Sequence, residues 1–175
     1  MAGVVWFITG SSRGLGRAIA EAALARGDRV AATARDPRAL DELVAAHGDR
    51  AVALKLDVTY PGQAAAAVHA AREAFGGIDL VVNNAGHASV KPIDGFTSLW
   101  GVVNVTRASL PVLRAQRGGH VIQISPIGGP APCELSRFAV EGFSRVLLRE
   151  VAPLGIRVTV IEPGASAEAI VSRAA

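Results

Sequence analysis

Short apolar runs alternate with longer stretches of helical periodicity along the whole chain. The apolar runs predict buried strands over residues 4–9, 29–34, 51–58, 79–86, 119–125 and 156–164. The stretches between them predict helices over residues 15–26, 38–48, 62–75, 98–117 and 134–152. Apolar strands that alternate with helices are typical of a parallel sheet covered on both faces, with right-handed crossovers. We therefore predict an α/β fold, a doubly wound (Rossmann-type) parallel sheet of about six strands.

The composition narrows the class of protein. With 175 residues, 50% of them hydrophobic, the chain is long enough to bury a substantial core, and it contains no linker or repeat. We therefore expect residues 1–175 to form a single domain. No apolar run is long enough to cross a bilayer, and the N-terminus lacks a signal-peptide pattern. One cysteine excludes an internal disulfide, which predicts a reducing, cytoplasmic location.

The net charge of +3 comes mainly from arginines that are scattered along the chain rather than gathered into a tract. A nucleic-acid interface normally concentrates such residues on one face or along one helix. We therefore expect a solvated, arginine-rich surface, with neither a nucleic acid nor a membrane as partner.

A glycine-rich loop, "TGSSRGLG", joins the first predicted strand to the first predicted helix at residues 9–16. Glycines there permit a tight turn and let the backbone approach a phosphate, while the helix N-terminus favours its negative charge. The strand–turn–helix context predicts a dinucleotide-binding loop. The simpler alternative is a plain turn in which the glycines serve geometry alone.

The end of the second strand indicates which dinucleotide is bound. A carboxylate at this position selects NAD through its ribose hydroxyls, whereas an arginine suits the extra phosphate of NADP. The strand ends in Ala34 and is followed by Arg35 and Asp36, and Arg13 in the glycine loop can join Arg35. We favour NADP(H) over NAD(H). The alternative is that the turn is shifted by one residue, in which case Asp36 is the carboxylate that selects NAD(H).

Several motifs in the expected order resemble the short-chain dehydrogenase/reductase family. Beside the glycine loop, the chain carries "LDV" at 56–58, "NNAG" at 83–86, "ISPIGG" at 124–129 and "EPG" at 162–164. The match covers nearly the whole chain and implies the doubly wound fold. It says less about activity, because a fold does not carry chemistry by itself.

By this resemblance, residues 1–175 form a dinucleotide-binding domain in which Asp57 and Val58 line the adenine and residues 83–86 support the central sheet. The cofactor-binding residues that we expect are Gly10, Ser12, Arg13, Gly14, Leu15, Gly16, Arg35, Asp57, Val58, Asn84, Ala85, Gly86, Pro163 and Gly164.

The resemblance also implies four catalytic side chains: an asparagine that holds a water, a serine that polarises the substrate oxygen, a tyrosine that transfers the proton and a lysine that lowers the tyrosine pKa. Aligned by its flanking residues, the chain has Ser98, Pro126, Cys133 and Arg137 at these positions. Proline has no hydroxyl, arginine stays protonated and cysteine keeps a titratable thiol. The catalytic half therefore departs from the family pattern.

No other tyrosine and lysine offer a replacement pair. Tyr60 is the one tyrosine, and it follows the third predicted strand, on the adenine side. The chain has two lysines: Lys55 lies in that strand, and Lys91 lies in the loop after "NNAGH". Ser125 precedes the proline, but neighbouring residues of a strand point to opposite faces. Asn104 is expected on a packing face of its helix.

His87, directly after "NNAG", is the best titratable candidate for acid–base work because its free pKa lies near neutrality. Cys133, Glu134 and Arg137 are the next candidates. The plainer alternatives are a loop histidine bound to water and a cysteine that packs as a small apolar side chain. Glu168 occupies the position of a threonine that would lie beside the nicotinamide by resemblance.

Three hypotheses of function remain open. The first is an NADP(H)-binding member of the family with a remodelled site, nominally an oxidoreductase of a small carbonyl or alcohol substrate, or a redox-neutral isomerase, dehydratase or cyclase. The second is a non-catalytic dinucleotide-binding or regulatory protein. The third is a degraded reductase. By the resemblance, the shortened loops all follow the fourth, fifth and sixth predicted strands at their carboxyl ends, and random decay would spread more evenly, which argues against this hypothesis.

The last strand raises the question of what covers it. Residues 157–161, "RVTVI", form an apolar edge that invites pairing, so either residues 165–175 or another chain should cover it. By resemblance, dimers form through the helices at 98–117 and 134–152. We predict a homodimer or a higher homo-oligomer.

Overall fold

All strands of the sheet run parallel, in the order β3-β2-β1-β4-β5-β6. The computed structural model describes residues 3–86, 97–125 and 131–163, and at 97–98 and 131–136 it describes the backbone alone. The strands are β1 Val5–Ile8, β2 Arg29–Ala34, β3 Ala51–Lys55, β4 Leu80–Asn83, β5 Gly119–Ile124 and β6 Ile156–Ile161. The helices are α1 Gly14–Ala25, α2 Asp41–His47, α3 Pro61–Phe75, α4 Thr97–Gln116 and α5 Ala131–Val151. The predicted doubly wound α/β fold is confirmed.

Helices cover the two faces of the sheet unequally. One face packs against α3, α4 and α5 around the fully buried side chains of Phe7, Val81 and Val121. The opposite face packs against α1 and α2 around Ile8 and Ala32. The apolar character on both faces explains why the strands read as continuous hydrophobic runs.

The strand order reverses at β1, which lies between β2 and β4. In an open parallel sheet, the loops that leave two such neighbouring strands diverge to opposite faces and open a crevice at the carboxyl ends. The loops after β1, β2, β3 and β4 therefore surround one region, and they carry most of the residues singled out from the sequence.

Several strands are shorter than their apolar runs. The predicted third strand continues to residue 58, but β3 ends at Lys55 because Asp57 bonds elsewhere: its backbone N donates to Gln63 in the first turn of α3, and its carboxylate accepts from Thr59. Likewise, the start of the predicted helix 38–48 is a separate 3₁₀ turn, Pro37–Leu40, and the α-helix begins at Asp41. Apolar periodicity identifies each element, whereas side-chain hydrogen bonds set its ends.

Helix α4 is fixed against the loop that follows β3. A Cβ at Gly101 would lie 2.5 Å from Val58 Cγ2, so a side chain at residue 101 would force Val58 to shift. Asn104 Nδ2 donates a hydrogen bond to the Val58 carbonyl at 3.0 Å. Asn104 thus serves packing, as the sequence indicated, and it also holds one of the predicted adenine-lining residues in place.

Candidate functional site

Thr9 joins the carboxyl ends of β1 and β4. Its buried hydroxyl donates to the Val82 carbonyl at 3.2 Å and accepts from the backbone amides of Asn84 and Ala85, both at 2.9 Å. The start of the glycine loop and the turn after β4 are therefore one rigid unit. Sequence reasoning did not single out Thr9, although its position directly before the first glycine of the loop was an available signal.

Asn84 closes this unit from the other side. Its Nδ2 donates to the carbonyl oxygens of Thr9 at 2.9 Å and Gly10 at 3.3 Å. A Cβ at Gly16 would lie 2.3 Å from both Asn84 Nδ2 and the Gly10 oxygen. Gly10 itself has φ +69°, in the left-handed region that favours glycine. Both glycines are therefore required by geometry.

The N-terminus of α1 opens onto the loop. Arg13 precedes the helix in an extended conformation and makes no side-chain capping bond, and the first turn contains no acidic residue. Ser12, Arg13 and Leu15 are exposed around this end, whereas Ser11 is buried and donates to the Ile8 carbonyl at 2.9 Å. The first backbone N–H groups of such a helix attract an anion.

The end of β2 presents an arginine beside a carboxylate that is already paired. Asp36 accepts hydrogen bonds from the Arg38 backbone N at 3.1 Å and from Arg38 Nη2 at 2.8 Å. The Arg38 side chain, and then its backbone N–H, hold the pKa of Asp36 below its usual value. Arg35 is exposed at the same turn. The positive charge at the β2 end thus comes from Arg35, because Arg38 and Asp36 neutralise each other.

Asp57 lies in the loop after β3. Its Oδ1 accepts from the Thr59 hydroxyl at 2.7 Å and the Thr59 backbone N at 3.0 Å. These bonds, the side-chain one first, lower the pKa of Asp57, with a further contribution from the charge of Arg35. Asp57 is therefore an ionised carboxylate within the field of Arg35, at the same edge of the sheet as the glycine loop.

The predicted catalytic candidates are described only in part. Cys133 and Arg137 both lie on α5, four residues apart, and for Ser98 in α4 and Cys133 the backbone alone is described. The guanidinium of Arg137 lies 4.9 Å from the centroid of the Phe138 ring, and its Nε lies 3.6 Å from a carboxylate oxygen of Glu141. Arg137 thus contacts side chains of its own helix. The other predicted site residues outside the described ranges are His87, Lys91, Pro126, Gly164 and Glu168.

Tyr60 and Lys55 lie far from the candidate catalytic helix in the strand order. Tyr60 is exposed directly before α3, and Lys55 is exposed at the end of β3, which is separated from β5 by β2, β1 and β4. Ser125, at the end of β5, is buried. The structure therefore agrees with the expectation that Tyr60 and Lys55 belong to the β3 side of the sheet.

Two further observations concern residues 3–86, 97–125 and 131–163. Within these ranges, no three or more histidine, cysteine, aspartate or glutamate side chains are grouped so that they can hold a metal ion. None of the helices in the same ranges combines the length and the apolar character needed to cross a membrane.

Comparisons with known proteins agree with this geometry. Residues 4–174 match the model of the short chain dehydrogenase family. Among curated proteins, the chain is 48% identical to oxidoreductase BOA17 of Botryotinia fuckeliana, over 91% of this chain and 65% of that protein. It is 33% identical to the 3-oxoacyl-acyl-carrier-protein reductase FabG of Escherichia coli, over 93% of this chain and 73% of that protein.

A solved structure gives the same result. The structure superposes on a short-chain dehydrogenase from Streptomyces avermitilis with a TM-score of 0.85 and 40% sequence identity, covering 93% of this chain and 66% of that one. The chain thus spans 65% of the length of the BOA17 oxidoreductase and 66% of the Streptomyces chain.

Proposed function

Because the chain belongs to the short-chain dehydrogenase family, we propose that it binds NADP(H) and has the oxidoreductase activity of that family on a small carbonyl or alcohol substrate, through a remodelled catalytic half. The observation that carries the choice of cofactor is the pairing of Asp36 with Arg38, which leaves Arg35 as the charge at the β2 end.

The glycine loop fits a dinucleotide. Gly10 and Gly16 form a backbone cradle for the phosphates, into which even one added Cβ would not fit. The uncapped first turn of α1 supplies backbone N–H groups to a pyrophosphate. Ser12, Gly14 and Leu15 would complete the loop around the phosphates. Beside them, the turn at Asn84, Ala85 and Gly86 is held to the same unit through Thr9.

The adenosine end fits NADP better than NAD. A carboxylate at the end of β2 serves the ribose hydroxyls of NAD only when its oxygens are available, and those of Asp36 are engaged by Arg38. Arg35, with Arg13 across the loop, offers guanidinium groups that bind a phosphate in bidentate fashion. Asp57 and Val58 would border the adenine.

When bound, the nicotinamide supplies or accepts a hydride. The chain's own part is to orient the substrate, exclude water and move a proton at the substrate oxygen. Cys133 offers a thiol for the proton step, and Arg137, one helical turn away, offers a charge that stabilises the thiolate. His87 is the alternative proton carrier, Ser98 is a further polar candidate, and Pro163 and Gly164 would border the nicotinamide.

One observation favours a second candidate, a dinucleotide-binding protein without redox activity. Arg137 stacks on Phe138 and lies beside Glu141 on α5. A guanidinium held along its own helix is less available to a ribose or a thiol than the lysine that the family normally places there. The protein would then bind the dinucleotide without turnover. A redox-neutral reaction at the same site, such as isomerisation or dehydration, lies between this candidate and the oxidoreductase.

Binding and turnover are measured separately. Titration of the protein with NADPH and NADH, followed by nicotinamide fluorescence or calorimetry, should show tighter binding of NADPH. No binding of either dinucleotide at millimolar concentration would contradict the cofactor proposal. Oxidation of bound NADPH across a panel of small aldehydes and ketones then distinguishes the oxidoreductase from the non-catalytic binder.

We also propose that the chain assembles as a homodimer or a higher homo-oligomer. In the part of the chain that the structure describes, β6 pairs with β5 alone, and Ile161 at its end is 42% exposed. Trp100 on α4 and Phe138 and Val146 on α5 add exposed apolar side chains. Light scattering across micromolar concentrations should show an oligomer, and a monodisperse monomer would contradict this.

A further inference from the structure

Three buried polar side chains meet where β4 and β5 end beneath α4. Asn83 of β4 and Gln123 of β5 are partners in register, and they are 3% and 0% exposed. Asn83 Nδ2 donates to Thr106 Oγ1 of α4 at 3.0 Å, and Gln123 Nε2 approaches the same oxygen at 3.4 Å. Thr106 is 0% exposed. We refer to these three buried side chains as the amide cluster.

The amide cluster is not satisfied by its own hydrogen bonds. Asn83 Oδ1 and Gln123 Oε1 are both buried, and neither has a hydrogen-bond partner among the described residues. Exchanging the oxygen and nitrogen of Gln123 would let the Thr106 hydroxyl donate to it, and the buried Gln123 N–H would then need an acceptor, which is either a water or Asn83 Oδ1. Either orientation therefore leaves polar atoms that require a further partner.

We propose that a buried water molecule binds in the amide cluster and donates its two hydrogens to Asn83 Oδ1 and Gln123 Oε1. Both amide nitrogens lie within 3.4 Å of Thr106 Oγ1, and the backbones of neighbouring strands are about 4.8 Å apart, so the two amide groups are close enough for one water to bridge them. Internal waters typically make two to four hydrogen bonds to buried polar groups that lack other partners. A metal ion is disfavoured because the cluster contains no carboxylate.

The bound water has a structural consequence for the candidate site. Asn83 directly precedes Asn84, whose side chain bonds to the glycine loop. Gln123 lies near the carboxyl end of β5, two residues before Ser125. The water would connect the ends of β4 and β5 to each other and to α4 through Thr106. Gln123 is then a positioning residue, which acts through the strand ends and not by contact with a cofactor.

A crystal structure at a resolution that shows internal waters tests the site directly, and it needs no cofactor. We expect density for one water within about 3.2 Å of both amide oxygens. A direct hydrogen bond between the Asn83 and Gln123 amides, or the lack of density between them while other internal waters are visible, would overturn the proposal.

The sign of a stability change gives a second test. Gln123→Met keeps the side-chain length and removes its polar atoms. If a water is bound, the variant expels it and leaves Asn83 Oδ1 without a partner, so the melting temperature should fall by roughly 2–4 °C or more. If no water is bound, the variant removes an unsatisfied amide, and the melting temperature should stay the same or rise.

A matched control separates this effect from the loss of any buried polar group. Ser109 on α4 is also 0% exposed, and its hydroxyl donates to the Val105 carbonyl at 2.9 Å. In hydrogen exchange, Gln123→Met should speed exchange of the ladder amides at the carboxyl ends of β4 and β5, whereas Ser109→Ala should not. Equal exchange in both variants would count against a positioning role for Gln123.

Discussion

Thr9 and Asn84 hold each other through both backbone and side chain. The Asn84 amide N donates to Thr9 Oγ1 at 2.9 Å, and Asn84 Nδ2 donates to the Thr9 carbonyl at 2.9 Å. The two residues are 75 positions apart in the chain. Thr9 is the first residue after β1, and Asn84 is the first residue after β4. This reciprocal pair joins the loops after β1 and β4 into a single rigid unit, so a substitution at either residue should alter the conformation of the glycine loop.

Thr9→Val should destabilise the protein and weaken dinucleotide binding. Valine has nearly the same shape but no hydroxyl, so the Ala85 backbone amide loses its acceptor and the Asn84 amide keeps only the Val82 carbonyl, at 3.1 Å. An amide left without an acceptor costs about 1–3 kcal/mol. Urea denaturation measures the loss. Thr9→Ser, which keeps the hydroxyl, should lose much less, and an equal loss in both variants would show that the methyl group rather than the hydrogen bonds matters.

Gly16→Ala should abolish or strongly weaken NADPH binding. The added Cβ would lie 2.3 Å from Asn84 Nδ2 and from the Gly10 oxygen, so the loop must move. Calorimetric titration measures the affinity. Gly62→Ala on α3 is the control, because its Cβ meets nothing within 4 Å. That variant should bind NADPH normally. Normal binding by Gly16→Ala would contradict the proposal that the glycine loop holds the phosphates.

Arg35→Ala should lower the affinity for NADPH by about tenfold or more and leave NADH almost unchanged, because a charge-assisted bond to a phosphate contributes about 1.5–3 kcal/mol. Arg38→Ala should also weaken NADPH binding, since it releases the Asp36 carboxylate near the phosphate. Fluorescence titrations with both dinucleotides measure the ratio of affinities. Arg72→Ala on α3, whose partner is Glu73, is the control for the loss of one surface charge.

The Thr59–Asp57 hydrogen bond should stabilise the protein in a pH-dependent manner. Because the folded-state pKa of Asp57 is lowered, its contribution is present above the unfolded pKa of about 4 and is lost as the pH falls through the folded value. Thr59→Val should therefore be less stable than the parent at pH 7, and the gap should shrink in acid. Urea denaturation across a pH series measures the gap.

Asp57→Asn provides the control for that series. In this background residue 57 does not titrate, so the effect of Thr59→Val should not depend on pH between neutrality and acid. A gap that keeps its size down to acid pH in the parent background would show that Thr59 acts through packing and not through the charge of Asp57.

Much of the architecture was predictable because apolar periodicity reports burial directly. Each predicted strand and helix is present, since strands buried on both faces must be apolar along their whole length. The ends were less predictable. The apolar run through Leu56 and Val58 does not reveal that β3 stops at Lys55, because the polar contacts of Asp57 with Thr59 and Gln63 involve the folded loop.

The candidate site was predictable where one segment supplies it and unpredictable where several segments meet. The glycines at 10 and 16 could be assigned from their place between a strand and a helix. The role of Asn104 at the Val58 carbonyl, and the pairing of Asp36 with Arg38 at the β2 end, required side-chain positions. No local pattern carries this information.

The sequence by itself determined the doubly wound sheet and the family resemblance, because these follow from periodicity and motif order. Only the tertiary structure showed that Thr9 joins two strand ends and that Asn83, Thr106 and Gln123 form one buried cluster. The physical reason is that a hydrogen bond depends on distance and direction between residues far apart in the chain. The packing of α4 on the sheet sets both.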